Sequence, residues 1–129
     1  METKGIHHIA IKVADYDRSV AFYRDGMGFL MANQWGEPGK RACMLDMGEG
    51  DHIEIFEGRV KSPDEDGHFM HLALKTDDCD SCFERAVNAG AAKMREPFST
   101  DIQGKETWKT RLAFVKGPDG EILEFFQRI

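Results

Sequence analysis

Four residues of this 129-residue chain combine the side-chain types that most often hold a first-row metal ion: His8, Glu54, His71 and Glu124. They are paired by repetition. His8 opens the segment His8-Ile-Ala-Ile-Lys12-Val-Ala-Asp15-Tyr-Asp17, which lies over His71-Leu-Ala-Leu-Lys75-Thr-Asp-Asp78-Cys-Asp80 at a constant offset of 63, with five of the ten positions identical. Glu54 belongs to Ile53-Glu-Ile-Phe56, which lies over Leu123-Glu-Phe-Phe126 at an offset of 70. A shifted self-match of this kind marks one supersecondary unit used twice. Two imidazoles and two carboxylates lining one cavity would be costly to bury without a shared partner. If the four line such a cavity, a divalent ion is the expected partner, one per site, with one or two positions left open for water or substrate. Zinc, nickel, cobalt, manganese and ferrous iron all accept such donors, and ligand softness does not choose among them.

The elements that must position these residues follow from periodicity. Ile9, Ile11 and Val13 alternate with His8, Ala10 and Lys12, the pattern of a half-buried strand, and Leu72/Leu74 alternate with His71 in the same way. Glu54 and Glu124 alternate with Ile53/Ile55 and Leu123/Phe125, so all four candidate ligands face away from the helices. Asp15 reads as an N-cap. Val20, Phe22, Tyr23 and Met27 then recur at helical spacing up to Gly26 and Gly28, and the matching helix spans about Asp78 to Gly90. Strands are expected near Met31 to Trp35, Arg41 to Met47 and Asp51 to Phe56, and again near Ala92 to Arg95, Arg111 to Lys116 and Glu121 to Gln127, where Gly117-Pro-Asp-Gly120 forms a turn. The stretches Glu57 to Gly67 and Phe98 to Trp108 show no period and read as loops. The fold class is therefore α+β, with two βαβββ modules of about residues 5–58 and 67–128 whose mixed sheet curls into a cup within a single domain, 1–129.

Composition limits the partners. Seventeen Lys+Arg against 23 Asp+Glu leave a net charge of −6, and the basic residues are scattered, so a nucleic-acid backbone has nothing to grip. No apolar run approaches the roughly 20 residues of a membrane span, and the opening residues lack the apolar core of a signal peptide; a cytoplasmic protein is expected. Cys43, Cys79 and Cys82 suggest reduced thiols rather than a disulfide framework, and Cys79-Asp-Ser-Cys82 reads as two small side chains on one helix face. His7, the neighbour of His8 on the helix-facing side of the strand, reads as structural, as do His52 and His68 at strand or loop edges.

Further residues complete a pattern. His8-Ile-Ala-Ile-Lys-Val-Ala-Asp15, Arg18-Ser-Val-Ala-Phe-Tyr23, Gly28-Phe29, Ala113-Phe-Val-Lys-Gly-Pro-Asp-Gly120 and Ile122-Leu-Glu-Phe125 together resemble the vicinal oxygen chelate superfamily over nearly the whole chain, the glyoxalase/bleomycin resistance/dioxygenase fold. Within it the four-ligand pattern resembles glyoxalase I (lactoylglutathione lyase), whose ligands fall on His8, Glu54, His71 and Glu124. Methylmalonyl-CoA epimerase is similar, usually with Gln at the position of Glu54.

The resemblance implies lyase or isomerase chemistry, in which a metal polarises a substrate carbonyl and a carboxylate moves the proton of the neighbouring carbon. It implies Glu124 as that base and Glu54 as the second catalytic carboxylate. Lys12 and Lys75, on the strand faces of the histidines, are candidates to hold an anionic substrate group; Trp35, Phe56, Trp108 and Phe126 are candidates for an apolar wall. Lys12 stands where glyoxalase I has an arginine for glutathione's carboxylate, Gly58 where it has an asparagine, and Gly117 where many members have Asp. The expected ligand is a small molecule, with a thiol adduct among the candidates, and the expected assembly is a homodimer. Epimerase, dioxygenase and non-catalytic binding chemistry of the same superfamily stay open at this point.

Overall fold

The computed structural model describes residues 6–60, 71–103 and 106–129; His68 and residues 61–67 of the first expected loop lie outside them. The chain divides into two compact units, Met1–Asp64 and Glu65–Ile129, whose limits follow the sequence repeat. Each unit is built as βαβββ.

In the first unit, β1 (His8–Val13) leads to α1 (Tyr16–Ala21), then β2 (Leu30–Trp35), β3 (Ala42–Gly48) and β4 (Asp51–Glu57), and the sheet order is β1-β4-β3-β2. β1 and β4 run parallel and the other pairs antiparallel. The second unit repeats this with β5 (Leu72–Lys75), α2 (Cys79–Asn88), β6 (Ala92–Ile102), β7 (Trp108–Lys116) and β8 (Ile122–Arg128), in the order β5-β8-β7-β6. The outcome is two four-stranded mixed sheets with few helices, the α+β class expected.

Strand alternation sorts the core. Ile11, Val13, Leu45, Ile53 and Ile55 are buried on the helix-bearing side of the first sheet, as are Val115, Leu123 and Phe125 in the second. Each such side chain contributes about 1.5–3 kcal/mol by leaving water, which fixes register because a slip of one residue would expose the whole set. Both helices start where a side chain takes over an unpaired N–H: Asp15 accepts from the Arg18 amide at 3.1 Å and Asp78 from the Ser81 amide at 3.0 Å. Cys79, Phe83 and Ala86 then face the second sheet. Cys79 and Cys82 are free, and burial pushes the Cys79 thiol up to about 11, consistent with packing rather than redox use.

Three expectations are corrected. The first helix does not run regularly to Met27: it ends at Ala21 and widens into a π-helical turn over Phe22–Gly26, with the Met27 amide donating to the Phe22 carbonyl at 2.8 Å. The wider turn lets the adjacent Phe22 and Tyr23 both reach the core, edge to face at 4.9 Å, where Phe29 stacks on Tyr23. The stretch from Phe98 is not a loop, because β6 continues to Ile102 and β7 begins at Trp108. Its register shifts on either side of Arg95, ahead of Phe98, carry an edge strand past Pro97, which has no N–H to pair. Finally, His7 does not face the helix side; it precedes β1, where alternation no longer applies, and its ring stacks on that of His52.

Candidate metal centre

In the first unit the parallel pairing of β1 with β4 sets His8 opposite His52 and Ala10 opposite Glu54. His8 and Glu54 are thus diagonal neighbours on the face away from α1, with Nε2 3.6 Å from Oε1. The glutamate is half-buried between strands and the imidazole is open to solvent. In the second unit β5 pairs with β8 in the same way, Ala73 opposite Glu124. His71, one residue before β5, places Nε2 3.2 Å from Oε2 of Glu124. Glu124 is only 7% exposed. Burial raises its carboxyl above the ordinary value, opposed by the neighbouring His71.

The surroundings of the two pairs differ. Beside His8, Nδ1 of His7 lies 3.0 Å from Nδ1 of His8, and the His7 ring stacks on His52 at 5.2 Å with an 11° interplanar angle. Nδ1 of His52 is buried with no hydrogen-bond partner among the described residues. Beside His71 stands Phe114 instead, edge to face at 6.2 Å. No period in the sequence marks His7 or His52 for the site; their one signal is adjacency to His8, in the chain and across the strand pair.

Lys12 and Phe56, opposite each other in β1 and β4, line a cavity of about 300 Å³ with Lys40, Arg41 and Glu57. Arg41 is engaged there, bonding Glu57 at 2.7 Å and Asp17 at 2.8 Å and holding the Glu57 carboxyl down to about 2. Among the described residues this leaves Lys12 and Lys40 as the cavity's cations not engaged by Glu57 or Asp17, and Lys40 has no periodic signal because it lies in a turn. Gly58 adopts φ +109° beside Lys12, a conformation that an asparagine would enter only with strain. In the second unit Trp108 and Phe126 form an edge-to-face pair at 6.5 Å, and Lys75 lies opposite Phe126. Trp35 instead borders a groove of about 460 Å³ with Tyr16, Val20 and Arg24 of the first helical segment.

The donor chemistry fits a divalent ion. Among the described residues neither glutamate is paired with a lysine or arginine, and each faces an imidazole nitrogen that can act as a neutral donor. No group of three or more His, Cys, Asp or Glu is gathered among the described residues, so each unit by itself presents two donors.

The family model of the Glyoxalase/Bleomycin resistance protein/Dioxygenase superfamily matches residues 5–125. The chain belongs to this superfamily. It is 30% identical to the uncharacterized protein YwbC of Bacillus subtilis (strain 168), covering 97% of this chain and 98% of that one. It is 28% identical to a probable lactoylglutathione lyase of Vibrio cholerae, over 98% and 93% of the two chains. Among solved structures, glyoxalase I of Zea mays superposes with a TM-score of 0.76 at 26% identity, over 98% of this chain and 45% of that larger one. Among the described residues of this superfamily member, no helix is long and apolar enough to cross a membrane.

Proposed function

We propose that the protein is a glyoxalase I-like metal-dependent lyase/isomerase, in which His8, Glu54, His71 and Glu124 hold one divalent ion per site. The observation that carries this reading is the repeated His–Glu pair, above all the buried Glu124 beside the His71 imidazole. The ion supplies Lewis-acid polarisation of a substrate carbonyl, which acidifies the neighbouring carbon. Glu124 takes that carbon's proton and returns it one carbon away. Glu54 is the second carboxylate. Lys12 and Lys40 hold an anionic arm of the substrate in the cavity beside Phe56, Lys75 holds a polar group in the second unit, and Trp108 with Phe126 forms an apolar wall. The lysines favour an anion-bearing adduct, glutathione being one of several thiols to try.

We further propose a homodimer in which each site takes His8 and Glu54 from one chain and His71 and Glu124 from the other. Support comes from the division of the donors into two per unit. Elemental analysis of the purified protein is expected to give about one divalent ion per chain, lost in His71→Ala, and the loaded protein should isomerise the adduct of methylglyoxal with glutathione or another thiol. Stoichiometric metal at unchanged affinity in His71→Ala would overturn the ligand set; metal without turnover on any such adduct would overturn the isomerase assignment. Mixing His8→Ala with Glu124→Ala chains separates the assemblies. Shared sites regain activity in about one quarter of all sites after random exchange, and sites closed within one chain regain none.

A further inference from the structure

We propose that His7 is a positioning residue for the metal centre: hydrogen-bonded to His8 through Nδ1 and seated on the ring of His52, it fixes the His8 imidazole with Nε2 turned toward Glu54. The inference rests on the ligand assignment above and adds to it a residue that does not itself ligate the ion but acts through His8.

The argument begins with proton arithmetic. Two Nδ1 atoms at 3.0 Å share one proton, since two N–H groups would repel and two lone pairs would have nothing to bond. Ligation through Nε2 requires a lone pair there. A neutral His8 then carries its proton on Nδ1 and donates it to Nδ1 of His7, whose own proton sits on Nε2. Ligating histidines almost always need a partner of this kind on the second nitrogen, because it fixes tautomer and ring plane together. Here, among the described residues, no carboxylate or carbonyl fills the role. Another imidazole does.

His7 is itself held. It lies outside β1, yet its carbonyl accepts the His52 amide at 3.1 Å and its ring lies flat against that of His52. Two contacts from one residue of β4 thus set both the backbone and the ring of His7. Its ring meets that of His8 edge to face at 5.2 Å and 90°, the orientation in which an in-plane Nδ1 can point at its neighbour. The feature does not come with the repeat. At the offsets that equate His8 with His71 and Glu54 with Glu124, His7 and His52 correspond to Met70 and Ile122, which offer no ring nitrogen.

Nitrogen-15 NMR of the full-length, metal-free protein tests this directly. The wild type is expected to show a scalar coupling between Nδ1 of His7 and Nδ1 of His8 across the hydrogen bond. His7→Phe keeps a ring on His52 but has no nitrogen, so it should abolish the coupling and let the His8 tautomers average. The same variant should bind cobalt(II) at least about tenfold more weakly by chelator competition. His7→Asn, whose amide oxygen falls near the Nδ1 position, should recover most of that loss. Absence of the coupling in the wild type, or cobalt affinity in His7→Phe equal to wild type, would overturn the proposal. A protein that takes up no divalent ion in any form would sink the ligand assignment instead, and the metal-free spectra would still decide whether His7 orients His8.

Discussion

The two units place the same pair of residue types on the same strands and give them unlike surroundings. In the first, His8 and Glu54 stand 3.6 Å apart among polar groups: two more imidazoles on one side and the Lys12/Lys40 cavity on the other. In the second, His71 and Glu124 stand 3.2 Å apart against Phe114, with the carboxylate nearly dry and an aromatic pair nearby. A polar, well-braced pair suits holding an ion and greeting an anionic group, whereas a desolvated carboxylate suits accepting a proton from carbon. Duplication thus copies the His–Glu pair, and on the function proposed here the residues one step away divide the labour between the two copies.

The largest effect expected from this division is on turnover. Glu124→Gln can still ligate through its amide oxygen but cannot take a proton, so it should lower turnover at least about a hundredfold with metal bound. Glu54→Gln should lower it less. Isotope exchange at the substrate's acidic carbon measures both, and equal losses would erase the asymmetry between the units.

A second comparison is between the hairpin turns that precede β4 and β8. A β-carbon at Gly117 would overlap the Glu121 carboxylate, which is buried and accepts from the Asp119 amide at 3.0 Å, whereas one at Gly50 would meet open space in a backbone with φ +86°. Gly117→Ala is therefore expected to cost about 1–3 kcal/mol by crowding, and Gly50→Ala about 1 kcal/mol by strain. Denaturation of the double variants sharpens the distinction: adding Glu121→Ala should relieve the first cost and leave the second unchanged. The departure from Asp at position 117 thereby acquires a physical reason.

The smallest effect is on stability against pH. A carboxyl whose folded value lies above its unfolded one favours the folded state only while protonated, and that contribution disappears as pH rises through the folded value. Metal-free wild type thus bears a cost at neutral pH from ionised, buried Glu124. Metal-free Glu124→Gln should melt above wild type at pH 7, with the gap closing as the pH falls below the ordinary carboxylate range. A gap that persists in acid would assign the difference to packing.

Much of this was legible in the chain. The offset repeat located both strands of each pair, the Asp15 and Asp78 caps started both helices, and strand parity put His8, Glu54, His71 and Glu124 on the face away from them. What escaped had a common cause: it depended on contacts that no period encodes. The edge strand β6 is exposed on both sides over most of its length, so Phe98 to Ile102 carry no alternation. The π-helical turn arises from packing two consecutive aromatics, and the placements of His7 and Lys40 depend on chain that belongs to no strand.

The parallel pairing of the first and last strands of each unit also has a kinetic consequence. β1 cannot meet β4, nor β5 meet β8, until the intervening helix and hairpin have been laid down, so each His–Glu pair is among the longest-range contacts of its unit and bears the full loop-closure entropy. Loop-closure entropy favours the local turns and antiparallel hairpins closing first. The proposed metal donors therefore come together only when a unit has finished folding, and partly folded chains, lacking paired donors, would on that proposal not capture an ion in the wrong place.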